Sequence, residues 1–158
     1  VFTGDRSGDF LFAALHRVGL ASQPTSTARG DGLALEDVWI SASLRCAPPA
    51  NKPTNAQLER CRAHLDAEWD ALANVHVIFC LGGIAWNAAL ELVARHGATI
   101  PKPRPRFAHG AEFALGPRVL LGSYHVSQQN TFTGRLTPAM LDARLERARC
   151  VAEQAARS

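Results

Sequence analysis

The run Val119-Leu-Leu-Gly-Ser-Tyr124 is followed directly by His125-Val-Ser-Gln-Gln-Asn130-Thr-Phe-Thr-Gly-Arg135-Leu-Thr137. The first run is short and apolar, which is typical of a buried strand, and Thr137 with Pro138 is suited to begin an amphipathic helix. A connection between a strand and a helix lies at the carboxyl end of the strand, where open α/β sheets bind their ligands. The polar mixture in segment 125–137 favours recognition of a base and a phosphate over an ordinary polar connection.

A second strand and helix unit lies upstream. Residues 75–81 are almost wholly apolar, which predicts a parallel strand covered on both faces. Gly82-Gly83 then allows the backbone to turn tightly into a helix that we predict at residues 84–96. The N-terminal amides of that helix could hold a phosphate, but a tight turn explains the two glycines equally well.

The N-terminal part of the chain contains two predicted helices and one strand candidate. Ser7 or Asp9 can cap a first helix that keeps its apolar residues on one face. Residues 37–44 are the strand candidate. Thr54 with Gln57 forms a capping box that begins the second helix.

Strands that alternate with helices through short connections predict an α/β fold, specifically a three-layer α/β/α sandwich with a central parallel sheet. Residues 106–115 alternate weakly between apolar and polar side chains, as a small hairpin would. The chain has 158 residues and 47% hydrophobic content, so we expect a single domain over residues 1–158.

The charge and the apolar runs restrict the classes of partner. The net charge is +3 and the pI about 8.9, values that permit a polyanionic partner without requiring one. The basic segment 101–106 could follow a nucleic-acid backbone or form a solvated surface strap. Because no apolar run is long enough to span a membrane and no signal peptide is recognisable, we expect a soluble cytoplasmic protein.

The four cysteines are too few and too scattered for a disulfide framework. Cys80 lies in an apolar run and Cys150 on the last helix, so we expect both to be small buried side chains. Cys46 ends the strand candidate, and Cys61 lies on the apolar face of the next helix. Two buried free thiols are one interpretation of that second pair.

Three segments together resemble the family 5 (type B) enzymes of the uracil-DNA glycosylase superfamily. They are Phe2-Thr-Gly-Asp-Arg-Ser-Gly8, Arg45-Cys-Ala-Pro-Pro-Ala-Asn-Lys-Pro-Thr54 and the segment 125–137, in the order of the family. The resemblance implies a monofunctional DNA glycosylase that flips uracil out of DNA and hydrolyses its N-glycosidic bond in base excision repair. Hypoxanthine and xanthine are further implied substrates, and a noncatalytic DNA-binding relative is the alternative.

The resemblance also implies a role for individual residues. His125 would donate a hydrogen bond to the uracil oxygen, Asp5 would position the attacking water, and Asn130 would assist His125. The residues implied to contact the substrate are Phe2, Asn51, Gln128, Gln129 and Arg135. Asp5 could instead be only a helix-start residue, and Phe2 only a core aromatic.

Two features of the family are expected upstream of Phe2 and are not in this sequence, namely a first motif at the end of an opening strand and a Cys-x-x-Cys pair. We therefore expect an N-terminally incomplete domain whose first strand is missing. In the family, two upstream and two downstream cysteines bind a [4Fe-4S] cluster, and Cys46 with Cys61 matches the downstream pair. The resemblance also implies DNA as the partner, and we expect the protein to be a monomer.

Overall fold

The computed structural model describes residues 4–45 and 53–157, and within those ranges it contains five helices and three strands. The helices are α1 (Arg6–Arg17), α2 (Asn55–Ala71), α3 (Gly83–Arg95), α4 (Gln128–Phe132) and α5 (Pro138–Ala156), and the strands are β1 (Val77–Leu81), β2 (Glu112–Leu115) and β3 (Arg118–Ser123). The predictions for Phe2, Cys46 and Asn51 fall outside the described residues.

Strand β3 lies at the centre of the sheet, between β1 and β2. The β1–β3 pair is parallel, with Val77 opposite Val119. The β2–β3 pair is antiparallel, with Glu112 opposite Leu121. The predicted parallel pairing is therefore confirmed for two strands, and an antiparallel edge strand makes the described sheet mixed rather than wholly parallel.

Helices cover both faces of this sheet. On one face, α5 packs on β3 and β1 and also against α1. On the other face, α3 packs on β1, and α2 packs outside α3. The first face buries Leu11, Phe12, Leu15, Val126, Leu136, Leu141 and Leu145, and the second buries Cys80, Trp86, Ala89, Leu90, Val93, Leu115 and Leu120. The predicted α/β/α order of layers is confirmed.

The strand predicted at residues 37–44 is wrong. Asp37 has a φ of 53°, a left-handed backbone conformation that interrupts an extended run. The following residues form no strand. Val38 and Ile40 nevertheless pack against the cluster between α1 and α5, so the apolar pattern reflects side-chain burial without backbone pairing.

Several other predictions for the elements need correction. β1 carries a helix on each face as predicted, α5 on one and α3 on the other, but only Cys80 is fully buried, since the strand lies at an edge of the described sheet. The hairpin predicted within residues 106–115 is instead formed by β2 with β3, because Gly116, at a φ of 60°, turns the chain between them. Cys150 is exposed rather than buried.

The local signals for helix ends are confirmed. The side chains of Thr54 and Gln57 form the predicted capping box at the start of α2. Thr137 caps α5 by accepting a hydrogen bond from the backbone N–H of Met140. Along the described part of the chain, no helix has both the length and the apolar character that crossing a bilayer requires.

The segment that precedes β2 lies directly against β3 at Gly122. The backbone N–H of Gly110 donates to the carbonyl oxygen of Gly122 at 2.9 Å, and the N–H of Gly122 donates to the carbonyl oxygen of Ala111 at 2.8 Å. A Cβ at position 122 would lie 2.6 Å from the carbonyl oxygen of Ala108. Glycine is therefore required here by close backbone approach.

We expect Gly122→Ala to lower the free energy of unfolding by about 1–3 kcal/mol, because the added methyl group must displace a backbone carbonyl. Gly83→Ala is the matched control, since a Cβ there would meet Phe107 at 3.6 Å, an ordinary contact. Urea unfolding followed by circular dichroism measures both variants. Equal stability of the two would contradict the close packing at Gly122.

Candidate active site at the end of strand β3

Segment 125–137 leaves the carboxyl end of β3 beside the turn that follows β1. The backbone N–H of Gly82 donates to the carbonyl oxygen of Ser123 at 2.8 Å, which extends the parallel pairing into the turn. A Cβ on Gly82 would lie 3.4 Å from the Cβ of His125. Gly82 also has a φ of 92°, so the tight turn accounts for this glycine. The predicted location of the segment, at the carboxyl ends of parallel strands, is confirmed.

The segment is folded onto itself and anchored in the core. Its middle forms the short helix α4, and Val126 and Leu136 on either side are buried in the cluster between α1 and α5. The side-chain Nδ2 of Asn130 donates to the backbone carbonyl oxygen of His125 at 2.9 Å. The carbonyl oxygen of Asn130 in turn accepts from the N–H of Leu136 at 3.0 Å. Asn130 therefore fixes the backbone of His125.

The imidazole of His125 is partly buried, and this burial lowers the pKa of the ring below its ordinary value. The ring is therefore neutral at pH 7. A neutral imidazole still offers one N–H donor, and a donor that has already lost much of its hydration is suited to stabilise charge that develops close to it.

Asp5 is the N-cap of α1. Its Oδ1 accepts a hydrogen bond from the backbone N–H of Gly8 at 2.6 Å. The prediction that Ser7 or Asp9 caps this helix is wrong, because the helix begins at Arg6 and Asp5 is the flanking residue with an extended backbone. The residue is exposed, so the cap hydrogen bond orients a carboxylate that solvent can reach.

The start of α1 lies beside α4. The Cζ of Arg6 lies 5.6 Å from the centre of the Phe132 ring. Because Asp5 precedes Arg6 directly, two of the three segments singled out in the sequence are brought to one region of the molecule. The roles of Asp5 and His125 in chemistry stay predictions.

The outer side of the segment is polar and exposed. Gln128 and Gln129 are exposed on α4, and Phe132 keeps 66% of its side chain accessible. The Cζ of Arg135 lies 4.5 Å from the centre of the Tyr124 ring. Phe132 was overlooked as a candidate at the sequence level, although an aromatic residue in an otherwise polar connection was an available signal.

His109 also lies at this edge of the sheet and was not predicted. Its Nδ1 accepts a hydrogen bond from the backbone N–H of Tyr124 at 3.1 Å, and the two rings stack with centroids 4.8 Å apart. No sequence pattern indicated this contact, because His109 belongs to the irregular part of the chain between α3 and β2.

The basic segment 101–106 is fixed to helix α3. The indole Nε1 of Trp86 donates to the carbonyl oxygen of Pro105 at 3.0 Å. The guanidinium of Arg104 donates to the carbonyl oxygen of Asn87 at 3.0 Å. These contacts favour the surface-strap interpretation. Lys102 and Arg106 remain exposed, so contact with a phosphate backbone stays open.

The described residues do not supply a ligand set for an iron–sulfur cluster. Cys61 is buried on α2, and Cys46 falls outside the described residues. Over residues 4–45 and 53–157, no group of three or more His, Cys, Asp or Glu side chains is placed to hold a metal ion. Burial raises the pKa of the Cys80 thiol to about 12, so this side chain is an inert part of the core.

Comparison with known proteins identifies clear relatives. The sequence model of the uracil DNA glycosylase superfamily matches residues 1–149. A type-5 uracil-DNA glycosylase of Mycobacterium bovis is 52% identical over 144 residues, which cover 90% of this chain and 52% of that protein. A type-5 uracil-DNA glycosylase of Thermus thermophilus is 49% identical over 140 residues, 88% of this chain and 61% of that protein.

A more distant match is a type-4 uracil-DNA glycosylase of Archaeoglobus fulgidus, which is 42% identical over 72 residues, 45% of this chain and 36% of that protein. The chain spans about half the length of the mycobacterial relative and three fifths of the Thermus relative. The resemblance noted in the sequence is thereby confirmed across nearly the whole chain.

Proposed function

This chain belongs to the uracil-DNA glycosylase superfamily, and we propose that it forms the catalytic part of an enzyme that excises uracil from DNA. The observation that carries the proposal is the contact between Arg6 and Phe132, which joins the start of α1 to the segment that begins with His125. The proposed reaction needs a donor and a carboxylate on the same side of the molecule. The segment after β3 contains the donor, His125, and the start of α1 is preceded by the carboxylate of Asp5.

The reaction is hydrolysis of the bond between the base and deoxyribose. A base within a duplex is inaccessible, so the nucleotide turns out of the stack into the site at a cost of roughly a few kcal/mol. Breaking the bond places negative charge on the departing base and positive charge on the sugar. We assign the stabilisation of the negative charge on the departing base to His125, whose neutral N–H donates to a uracil oxygen. A donor aimed in advance can lower such a barrier by roughly 3–4 kcal/mol.

We assign the stabilisation of the positive charge on the sugar to Asp5. Its carboxylate would face the sugar, hold the attacking water and accept the proton that the water loses as the new bond to the sugar carbon forms. The cap hydrogen bond to Gly8 supports this assignment, because it fixes the carboxylate before the substrate arrives. Asn130 contributes indirectly by holding the backbone of His125.

The remaining substrate contacts complete the proposal. Gln128, Gln129 and Arg135 would line the minor groove next to the extruded nucleotide, and their exposure at the end of β3 supports this. Asn51 would read the edge of the base and Phe2 would stack on its face. Hypoxanthine and xanthine are proposed as further substrates, since each also presents a carbonyl oxygen to a donor.

We expect His125→Ala to reduce the rate of uracil excision by about 100- to 1,000-fold, because the departing base loses its hydrogen-bond donor. A uracil-containing oligonucleotide is incubated with the protein and treated with alkali, and strand cleavage is quantified. His64→Ala is the matched control, since His64 is exposed on α2.

If the unmutated protein cleaves none of the oligonucleotides that contain uracil, hypoxanthine or xanthine, the enzyme proposal is wrong. Retained binding of those oligonucleotides would then identify a noncatalytic DNA-binding relative. Full activity of His125→Ala would instead remove only the role assigned to His125.

Asp5 can be tested separately as a cap and as a catalytic carboxylate. Asparagine caps a helix about as well as aspartate, so we expect Asp5→Asn to keep the melting temperature while excision falls by about 100-fold or more. Asp5→Ala should lose activity and also about 1 kcal/mol of stability. An Asp5→Asn variant with full activity would show that Asp5 only begins the helix.

We propose that Cys46 and Cys61 supply two of the four thiolates of a [4Fe-4S] cluster. The burial of Cys61 suits a thiolate shielded from solvent. We expect iron and acid-labile sulfide in equal amounts in protein expressed from its complete coding sequence, and loss of both in Cys61→Ser. Cys150→Ser is the control, since Cys150 is exposed. Absence of iron from the unmutated protein would contradict the proposal.

A further inference from the structure

We propose that His109 is a positioning residue of this site, whose unprotonated Nδ1 holds the backbone of Tyr124 and thereby fixes the direction in which His125 leaves the sheet. The inference rests on the proposed function, since it assigns His109 to the same site. His109 lies sixteen residues before His125 in the sequence and belongs to none of the family segments.

The contact between His109 and Tyr124 has two parts. The backbone N–H of Tyr124 donates to Nδ1 of His109 at 3.1 Å. The two rings also stack, with centroids 4.8 Å apart and planes inclined by 20°. Because Tyr124 immediately precedes His125, both contacts act on the last residue before the proposed donor.

His109 is itself held rigidly. The next residue, Gly110, donates to Gly122 of β3, and Ala111 accepts from Gly122. The residue before it, Ala108, presses its carbonyl oxygen against the Cα of Gly122, where no side chain fits. The hydrogen bonds of the neighbouring residues to β3 therefore position the imidazole of His109, and its acceptor nitrogen, Nδ1, is fixed at the end of β3.

Tyr124 connects this support to the far end of the segment. The Cζ of Arg135 lies 4.5 Å from the centre of the Tyr124 ring, within the range of a cation–π contact. Arg135 lies two residues before the N-cap of α5. Both ends of segment 125–137 thus depend on the placement of Tyr124, and His109 fixes the backbone of Tyr124.

The hydrogen bond determines the form of the imidazole. A backbone N–H only donates, so Nδ1 of His109 is unprotonated and Nε2 carries the hydrogen of the neutral ring. Protonation at Nδ1 would bring two donors face to face and break the bond. The positioning contact therefore exists only in the neutral ring.

The groups around His109 favour its neutral form. Burial lowers the pKa of the ring, and the guanidinium of Arg144 on α5 lowers it further. In the described structure, Nε and Nη2 of Arg144 are buried and donate to no hydrogen-bond partner. Glu112 on β2 is paired with Arg147 at 2.5 Å, and Arg135 faces the Tyr124 ring as another cation. The contact is thus complete at neutral pH and is lost only in acid below the ordinary pKa of histidine.

Two variants of His109 separate the contribution of its hydrogen-bond acceptor from the contribution of its ring. His109→Phe keeps a ring that can stack on Tyr124 but removes the acceptor, whereas His109→Asn keeps an acceptor at the δ position and removes the ring. We expect His109→Phe to lower kcat for uracil excision roughly ten-fold with little change in KM, the effect of one lost hydrogen bond. His109→Asn should keep kcat within roughly three-fold of the unmutated protein.

The pH profile gives a second measurement. In the unmutated protein, kcat falls in acid as His109 gains a proton and loses its acceptor, and in His109→Asn this fall should be less steep because that group no longer titrates. His64→Asn is the matched control and should leave the profile unchanged. Unfolding curves of each variant confirm that the fold is intact. A His109→Phe variant with the kcat and pH profile of the unmutated protein would overturn the proposal.

A measurement without substrate separates this inference from the proposed function. We expect the amide proton resonance of Tyr124 to shift with the titration of the His109 ring in NMR spectra of the free protein. That shift should be absent in His109→Phe. A Tyr124 amide that does not respond to His109 would overturn the inference even if uracil is excised. A responding amide in a protein without excision activity would leave the contact intact and remove the proposed function.

Discussion

The parallel pairing of β1 with β3 is the constraint on which the rest of the site depends. It brings the turn at Gly82 and the residue His125 to the same sheet edge, where the Gly82 N–H continues the pairing to Ser123 at 2.8 Å. The segment that follows is then held down by burial of Val126 and Leu136 between α1 and α5. Since those two helices also bury each other, the position of the start of α1 follows from the same core.

The candidate residues are positioned mainly through backbone contacts. Asn130 holds the carbonyl of His125, His109 holds the N–H of Tyr124, and Asp5 accepts from the N–H of Gly8. Side chains and backbone groups that are already held by such contacts have less conformational freedom to lose on substrate binding than unrestrained groups do. A site built in this way would keep the proposed donor and the proposed carboxylate in place before a substrate binds, which is the condition for electrostatic stabilisation of a developing charge.

Asp5 illustrates how one side chain serves the fold and the proposed chemistry together. As the N-cap it satisfies a backbone donor at the start of α1, and its exposure leaves the carboxylate accessible. Asp5 is therefore a helix-start residue, while the interpretation that it is only that and its proposed catalytic role both stay predictions. The contact of Arg6 with Phe132 adds a second link between the same helix and the segment after β3.

The sequence by itself determined the features that short stretches of chain encode. The capping box at Thr54, the cap at Thr137, the apolar runs of β1 and β3 and the family segments all depend on neighbouring residues, so local patterns revealed them. Tertiary structure alone decided that residues 37–44 pack without pairing, that β2 joins β3 antiparallel, and that His109 lies against Tyr124. These outcomes depend on which distant segments share one sheet edge and one core, and a periodic pattern contains no information about the partner that a buried face or a backbone donor finally meets.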